Sequence, residues 1–385
     1  MHVSTRSRFC HRPQSTRSPR DVSARWGIAL CTLLLACDED AATGGSGANG
    51  STSGSEASGG TSSSNGSGST SANGGTSSTG GNGGNGAGAG AATSGTGQEV
   101  GSSVTSGPNT GVGGGPAGCP AQALTPGLHE ATISFDGKTR SYEVQVPASY
   151  DNSAPIPLVF DLHGLASSAT QQQFISGWSS VAEANGFAVV RPSGYGGFPS
   201  WNGGSTCCGQ ALSEGLDDVG LMLAIVEAID ASVCIDAKRI YASGLSNGGA
   251  MTHRLGCDAA EVFAAIAPVA YPIAYLPMSL CQPSRPMPVM HSHGTNDTTV
   301  PYSGSFGIAS ASDSFEQWAE LDGCSGDPVE TYSKGDSHCD TYENCQQGAE
   351  VTLCTIKGPH LLYSNSDDVP IAELAWAFFE AHPMP

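Results

Sequence analysis

Ile240-Tyr241-Ala242-Ser243-Gly244-Leu245-Ser246-Asn247-Gly248-Gly249-Ala250-Met251 is the stretch that decides the fold. A short β-branched and aromatic run enters Gly-Leu-Ser-Asn-Gly, and a helix-compatible run leaves it. This is Gly-x-Ser-x-Gly in a strand–turn–helix setting. The setting predicts a tight turn that holds Ser246 in a strained conformation with its hydroxyl exposed. Glycine is needed on both sides because the new helix packs close to the strand. In a chain with 53 glycines the pentapeptide alone says little. The strand before it and the helix after it make Ser246 the candidate nucleophile.

A serine at neutral pH needs a base, an orienter for that base and an oxyanion hole. Asp297 follows the expected strand Pro288–Ser292, in His293-Gly294-Thr295-Asn296-Asp297-Thr298-Thr299-Val300-Pro301-Tyr302. His360 follows the expected strand Val351–Ile356, in Lys357-Gly358-Pro359-His360. Ser246, Asp297 and His360 then stand in the Ser…Asp…His chain order. Among rival histidines, His253 is on the nucleophile helix and too near Ser246 in sequence. His291 and His293 lie in or beside a strand and read as structural, which leaves His338 as the rival base. The backbone N–H of Asn247 is one expected oxyanion donor. The second is the N–H of Leu165, in the loop His163-Gly164-Leu165 after an early strand. His163 itself reads as a structural hydrogen-bonder.

The rest of the chain supplies an alternating frame. Thr132–Phe135, Asp136-Gly137 and Arg140–Val146 read as a hairpin. Pro157–Leu162 is a buried strand. Phe174, Trp178, Val181 and Ala182 have helical spacing, and Gly186 can end that helix. Phe187–Val190 and Phe263–Val269 are further strands. Leu216–Val233, Ser310–Leu321 and Ile371–Glu380 are helices, the first opening with Asp217-Asp218 at the positive helix end. A hairpin followed by alternating strands and helices predicts an α/β fold with a mostly parallel sheet and sites at the carboxyl ends of its strands.

Composition sets the context. Residues 1–25 are polar and carry Arg6, Arg8, Arg12, Arg17, Arg20 and Arg25. The apolar run from Trp26 to Ala36 is too short to span a bilayer and reads as the core of a secretory signal. Leu34-Leu35-Ala36-Cys37 resembles a bacterial lipobox, which makes Cys37 the expected lipidation site. Residues 38–117 are almost wholly Gly, Ser, Thr, Asn and Ala. Such a segment buries too little apolar surface to offset its ordering entropy, so we expect a disordered tether. The expected organisation is therefore a signal (1–36), a lipidated tether (37–118) and one enzyme-sized domain (119–385). The net charge is −20, and loss of the arginine-rich leader makes it more negative. That argues against nucleic acid or anionic lipid as partners. Membrane association is expected only through the lipid, and the domain reads as a monomer.

Of 13 cysteines, Cys10, Cys31 and Cys37 fall in or next to the leader. The even remainder suggests disulfides in an oxidising compartment. We expect Cys257–Cys281, Cys324–Cys354 and Cys339–Cys345, with Cys119, Cys207, Cys208 and Cys234 sharing two more. No Cys-x2-Cys pair supports a metal site.

Six motifs in register carry a resemblance. They are Leu162-His163-Gly164, Trp201-Asn202, Cys207-Cys208-Gly209, Asp217-Asp218-Val219-Gly220, Gly244–Gly249 and His293-Gly294-Thr295-x-Asp297-x-x-Val300-Pro301-Tyr302. Together they resemble the esterases grouped with poly(3-hydroxybutyrate) depolymerases and feruloyl esterases, over about residues 119–362. The resemblance implies an α/β-hydrolase fold with Ser246 as nucleophile, Asp297 as acid and His360 as base. It implies two-step acyl transfer without a cofactor. One departure is the His loop, Gly358-Pro359-His360-Leu361-Leu362-Tyr363, where the family often has Gly-Gly-His followed by Trp-Pro-Gly.

About 18 residues separate Val269 from Pro288, so no large lid is expected there. Tyr195, Phe198 and Trp201 lie in a Gly-rich loop and are expected to flank the site and stack on substrate. The expected substrate is a polymeric or oligomeric ester, with feruloyl or acetyl esters of xylan set against polyhydroxybutyrate. A reading from another class is a surface binding module whose hydrolytic machinery has decayed.

Overall fold

In the computed structural model, residues 119–365 and 368–385 are described. The expected leader, Cys37 and the tether lie outside them.

The elements run β1 (Gly127–Phe135), β2 (Lys138–Val146), β3 (Ile156–Leu162), α1 (Ala169–Ile175), α2 (Trp178–Asn185), β4 (Ala188–Pro192), α3 (Gly209–Ser213), α4 (Asp218–Asp230), β5 (Ile235–Leu245) and α5 (Asn247–Asp258). They continue with β6 (Ala265–Val269), β7 (Val289–Gly294), α6 (Ala311–Leu321), β8 (Val329–Lys334), β9 (Ser337–Tyr342), β10 (Val351–Ile356) and α7 (Ile371–Ala381). One ten-stranded sheet has the order β1-β2-β4-β3-β5-β6-β7-β10-β9-β8. From β4 to β10 each neighbouring pair is parallel. Antiparallel hairpins close both flanks.

Alternation along β3 builds the layers, because successive side chains point to opposite faces. Leu158, Phe160 and Leu162 join one core with Met222 and Ile225 of α4, Met251 and Leu255 of α5, and Trp318 of α6. Val159 joins the other core with Trp178 of α2 and Trp376 and Phe379 of α7. Helices therefore cover both faces, as a parallel sheet requires. Between β6 and β7 there is one 3-10 turn, Met278–Leu280, and no large lid.

Three expectations change. The helix expected through Phe174 and Trp178 is two helices, because Gly177 adopts φ 80° between them. Phe174 is left exposed and Trp178 buried. Strands β8 and β9 were not legible in the sequence, since every residue of β8 is at least partly exposed. Their presence also corrects two disulfides. Cys339 of β9 stands directly opposite Cys354 of β10, and the two are bonded. Cys324 then pairs with Cys345. Cys257–Cys281 is as expected, and the remaining four form Cys119–Cys234 and Cys207–Cys208.

Candidate active site

Strand β5 delivers Ser246 to the start of α5. Ser246 has φ 58° and ψ −119°, outside the regions ordinary residues occupy. Such a conformation persists only where its surroundings impose it. Here the Ser246 N–H is held by the Val269 carbonyl at 2.8 Å, and its own carbonyl accepts from Ala250 at 2.9 Å. The flanking glycines are steric necessities. A Cβ on Gly244 would lie 2.6 Å from the Gly248 carbonyl oxygen. A Cβ on Gly248 would run into the Leu162 carbonyl oxygen and sit 2.7 Å from that of His163.

The loops after β7 and β10 bring Asp297 and His360 together. His360 Nδ1–H donates to Asp297 Oδ2 at 2.6 Å. The other oxygen, Oδ1, accepts the N–H groups of Thr299 and Val300, each at 2.8 Å. Burial pushes the Asp297 carboxyl up. Hydrogen bonds from His293 and His360, the charge of His360 and the Val300 N–H outweigh it and hold the carboxyl well below the usual range. The two loops are laced by Asn296 N–H to Gly358 O at 3.0 Å and Thr295 N–H to Ile356 O at 2.8 Å. This approach needs Gly294, whose added Cβ would press on the carbonyls of Gly358 and Pro359.

The proton carried on His360 Nδ1 leaves Nε2 free to take another. The His360 side chain is 22% exposed, with Asp297 sealed behind it. Ser246 ends a strand on the same sheet edge. Its hydroxyl makes no hydrogen bond to His360 among the described residues; such bonds often tighten only when substrate is bound.

The expected oxyanion donors lie on two connected segments. Gly164 approaches Ser246 so closely that an added Cβ would be 3.5 Å from Ser246 Cβ. Neither the Leu165 N–H nor the Asn247 N–H has an acceptor among the described residues. His163 fixes the plane of the Gly164–Leu165 peptide. The Gly194 N–H donates to His163 Nε2 at 2.8 Å, so the ring proton sits on Nδ1 and donates to the Gly164 carbonyl at 2.7 Å. In a trans peptide the carbonyl and the following N–H point oppositely, so the Leu165 N–H faces away from His163. Burial, opposed by the bond to Gly164 and aided by Arg140, pulls the His163 pKa down to about 4, which keeps the ring neutral at pH 7.

Sequence reasoning missed the Asn247 side chain. It is completely buried and clamps Trp201, accepting from its N–H at 2.7 Å and donating to its carbonyl at 2.9 Å. Trp201 is a correction. It was expected to stack on substrate, but it is wholly buried and donates its indole N–H to the His163 carbonyl. Its partner is the protein, so no ring face is left for a ligand. Tyr195 lies under Lys138 and Arg140, with their charges 5.5 and 5.9 Å from its ring centre. Phe198 is 68% exposed, and the Ala166 N–H to Pro199 O bond of 2.8 Å ties its loop to the 163–166 segment. Of the rival bases, His253, His291 and His293 are buried, and His338 is on β9 beside Asp340 at 3.5 Å. No metal-binding cluster of His, Cys, Asp and Glu occurs among the described residues.

No protein-family model matches the chain. It is 34% identical over 232 residues to feruloyl esterase B of Piromyces equi, covering 57% of this chain and 42% of that one. It is 32% identical over 167 residues to a bifunctional acetylxylan esterase/xylanase of Neocallimastix patriciarum, of which 22% is covered. The chain thus spans less than half the length of these two curated relatives. A probable feruloyl esterase C of Aspergillus terreus is 28% identical over 272 residues, 68% of this chain and 90% of the relative. The acetyl xylan esterase of Aspergillus awamori superposes with a TM-score of 0.50 at 16% identity, covering 66% of this chain and 99% of that structure. The chain has the α/β-hydrolase fold and is similar in sequence to feruloyl esterases. Ser246 follows β5, Asp297 follows β7 and His360 follows β10, each at the carboxyl end of a parallel strand.

Proposed function

We propose that this chain is an extracellular serine carboxylic ester hydrolase acting on feruloyl or acetyl esters of plant polysaccharide. The observation that carries the reading is the Asp297–His360 bond of 2.6 Å on the sheet edge where Ser246 is held at positive φ. The relatives are esterases by name, and five disulfides among the described residues suit an oxidising compartment.

In the proposed reaction His360 Nε2 takes the Ser246 hydroxyl proton as Oγ bonds to the ester carbonyl carbon. The resulting oxyanion accepts the N–H groups of Leu165 and Asn247. The protonated His360 passes its proton to the departing alcohol, leaving an acyl-serine. Water, deprotonated by His360, attacks that acyl group and the acid leaves with Ser246 reprotonated. Asp297 stabilises the imidazolium that forms in each half. No cofactor enters this scheme. The domain works as a monomer on a polymeric or oligomeric ester, tethered through Cys37.

The test is hydrolysis of p-nitrophenyl acetate and labelling by a fluorophosphonate. Both are expected for the wild type, and both are lost in Ser246→Ala while the fold is retained. An inert, unlabelled wild type overturns the reading in favour of a binding module. Release of ferulate from feruloylated xylo-oligosaccharide without clearing of polyhydroxybutyrate fixes the substrate class, and the opposite pattern assigns a polyester hydrolase. Labelling with a fatty-acid probe, lost in Cys37→Ser, tests the anchor.

A further inference from the structure

Behind Asp297 lie three buried histidines that the reaction above does not use. His253 is on α5, and His291 and His293 share one face of β7. Their ring centres are 5.2 Å apart from His253 to His291 and 5.2 Å from His291 to His293.

Partners settle where each proton sits. The Trp318 indole N–H donates to His253 Nδ1 at 3.0 Å, so His253 carries its proton on Nε2 and donates to the Tyr271 carbonyl at 3.1 Å. His293 Nε2 lies 2.9 Å from the Val300 carbonyl, which can only accept, so His293 carries a proton there. Burial keeps His291 neutral, and its Nδ1 has no partner among the described residues, so its one proton sits on Nε2. His291 Nε2 is 3.2 Å from His293 Nδ1 and donates to it. The direction of donation therefore runs from His291 to His293 and on to the turn that holds the acid.

That turn is gripped on both sides by His293. Val300 donates its N–H to Asp297 Oδ1 at 2.8 Å while its carbonyl accepts from His293 Nε2. The same Nε2 is 3.5 Å from Asp297 Oδ2, the oxygen bonded to His360. We propose that His293 is a positioning residue, its proton fixed on Nε2 by His291, that aims the Asp297 carboxylate at His360. The inference rests on the esterase reading for its kinetic consequence. The geometry at His360 can be read without turnover.

The test compares His293→Leu, His293→Gln and His291→Leu in the full chain. Glutamine keeps an N–H donor near the Nε2 position; leucine does not. The first readout is the strongly downfield proton resonance of His360 Nδ1–H, assigned by its loss in Asp297→Asn. The second is ester turnover, and the third is thermal unfolding. We expect His293→Leu to lose or shift the resonance and to lower kcat roughly tenfold or more, with KM unchanged. His293→Gln is expected to restore both, and His291→Leu to fall between. A resonance and kcat unchanged in folded His293→Leu overturn the inference, as does a His293→Gln no better than leucine. Should His293→Leu fail to fold, His291→Leu decides, and its wild-type resonance overturns the relay. A wild type that hydrolyses no ester sinks the esterase reading alone, because the resonance still reports on positioning.

Discussion

The indole N–H of Trp201 donates to the main-chain carbonyl of His163 at 2.9 Å. Trp201 is itself clamped through its backbone by the Asn247 side chain. The segment carrying the Leu165 N–H is thus pinned to the residue that supplies the other proposed oxyanion donor. Trp201→Phe keeps an aromatic ring, though a smaller one, and removes the donor, leaving a buried carbonyl unpaired at a cost of about 1–3 kcal/mol. We expect ester turnover and fluorophosphonate labelling to slow by roughly ten- to a hundredfold, with KM little changed. Steady-state kinetics with thermal unfolding checks this; wild-type rates would show that the brace is dispensable.

Gly248 faces the carbonyls of Leu162 and His163 at the start of α5. Gly248→Ala forces the helix away from β3 and widens the space between the proposed donors. We expect a loss of about 3 kcal/mol in stability, as for overpacking of a tight core, and loss of Ser246 labelling. Chemical unfolding and mass spectrometry of the labelled serine measure the two effects.

Asp322 follows α6 with its side chain fully buried. Its Oδ1 accepts from the Met287 N–H at 2.8 Å, and Oδ2 has no partner among the described residues. Burial, partly offset by the Met287 bond and by Arg285, pushes its pKa from 3.8 up to about 7. The unfolded chain therefore loses this proton first. Stability falls as pH rises from about 4 to 7, and the full penalty stands above 7. Asp322→Asn keeps an acceptor for Met287 and removes the charge. The expected gain is about 2 kcal/mol at pH 8, within the ~1.4 kcal/mol per pKa unit that linkage allows, and near zero below pH 4. Unfolding midpoints at the two pH values decide it; an equal gain at both refutes the ionisation argument.

Cys119–Cys234 closes a sequence separation of 115, against 24 for Cys257–Cys281. In the chain-entropy account these are worth about 4.8 and about 3.4 kcal/mol. Serine pairs at each bridge are expected to destabilise in that order, measured by urea unfolding of the oxidised protein. The reverse order would mean that local packing outweighs loop closure here.

The amino-acid sequence by itself determined the alternating frame, the parallel sheet and the chain order of Ser246, Asp297 and His360. Those signals are local: a strand followed by a tight glycine turn is written in consecutive residues, and a loop residue after a strand inherits the strand's end. The sequence likewise placed α4, α6 and α7 to within a few residues. What only the tertiary structure decided depends on contacts between distant segments. Trp201 looked like a stacking surface because it sits in a Gly-rich loop, and only the fold shows Asn247 and His163 closing over it. The Cys339–Cys354 disulfide follows from strand register, which β9 gave no sequence signal to set. The buried row of His253, His291 and His293 comes from two elements, α5 and β7, whose side chains meet only after β6 has been laid between β5, which leads into α5, and β7. Local chemistry fixed which residues are candidates, and packing fixed what each of them touches.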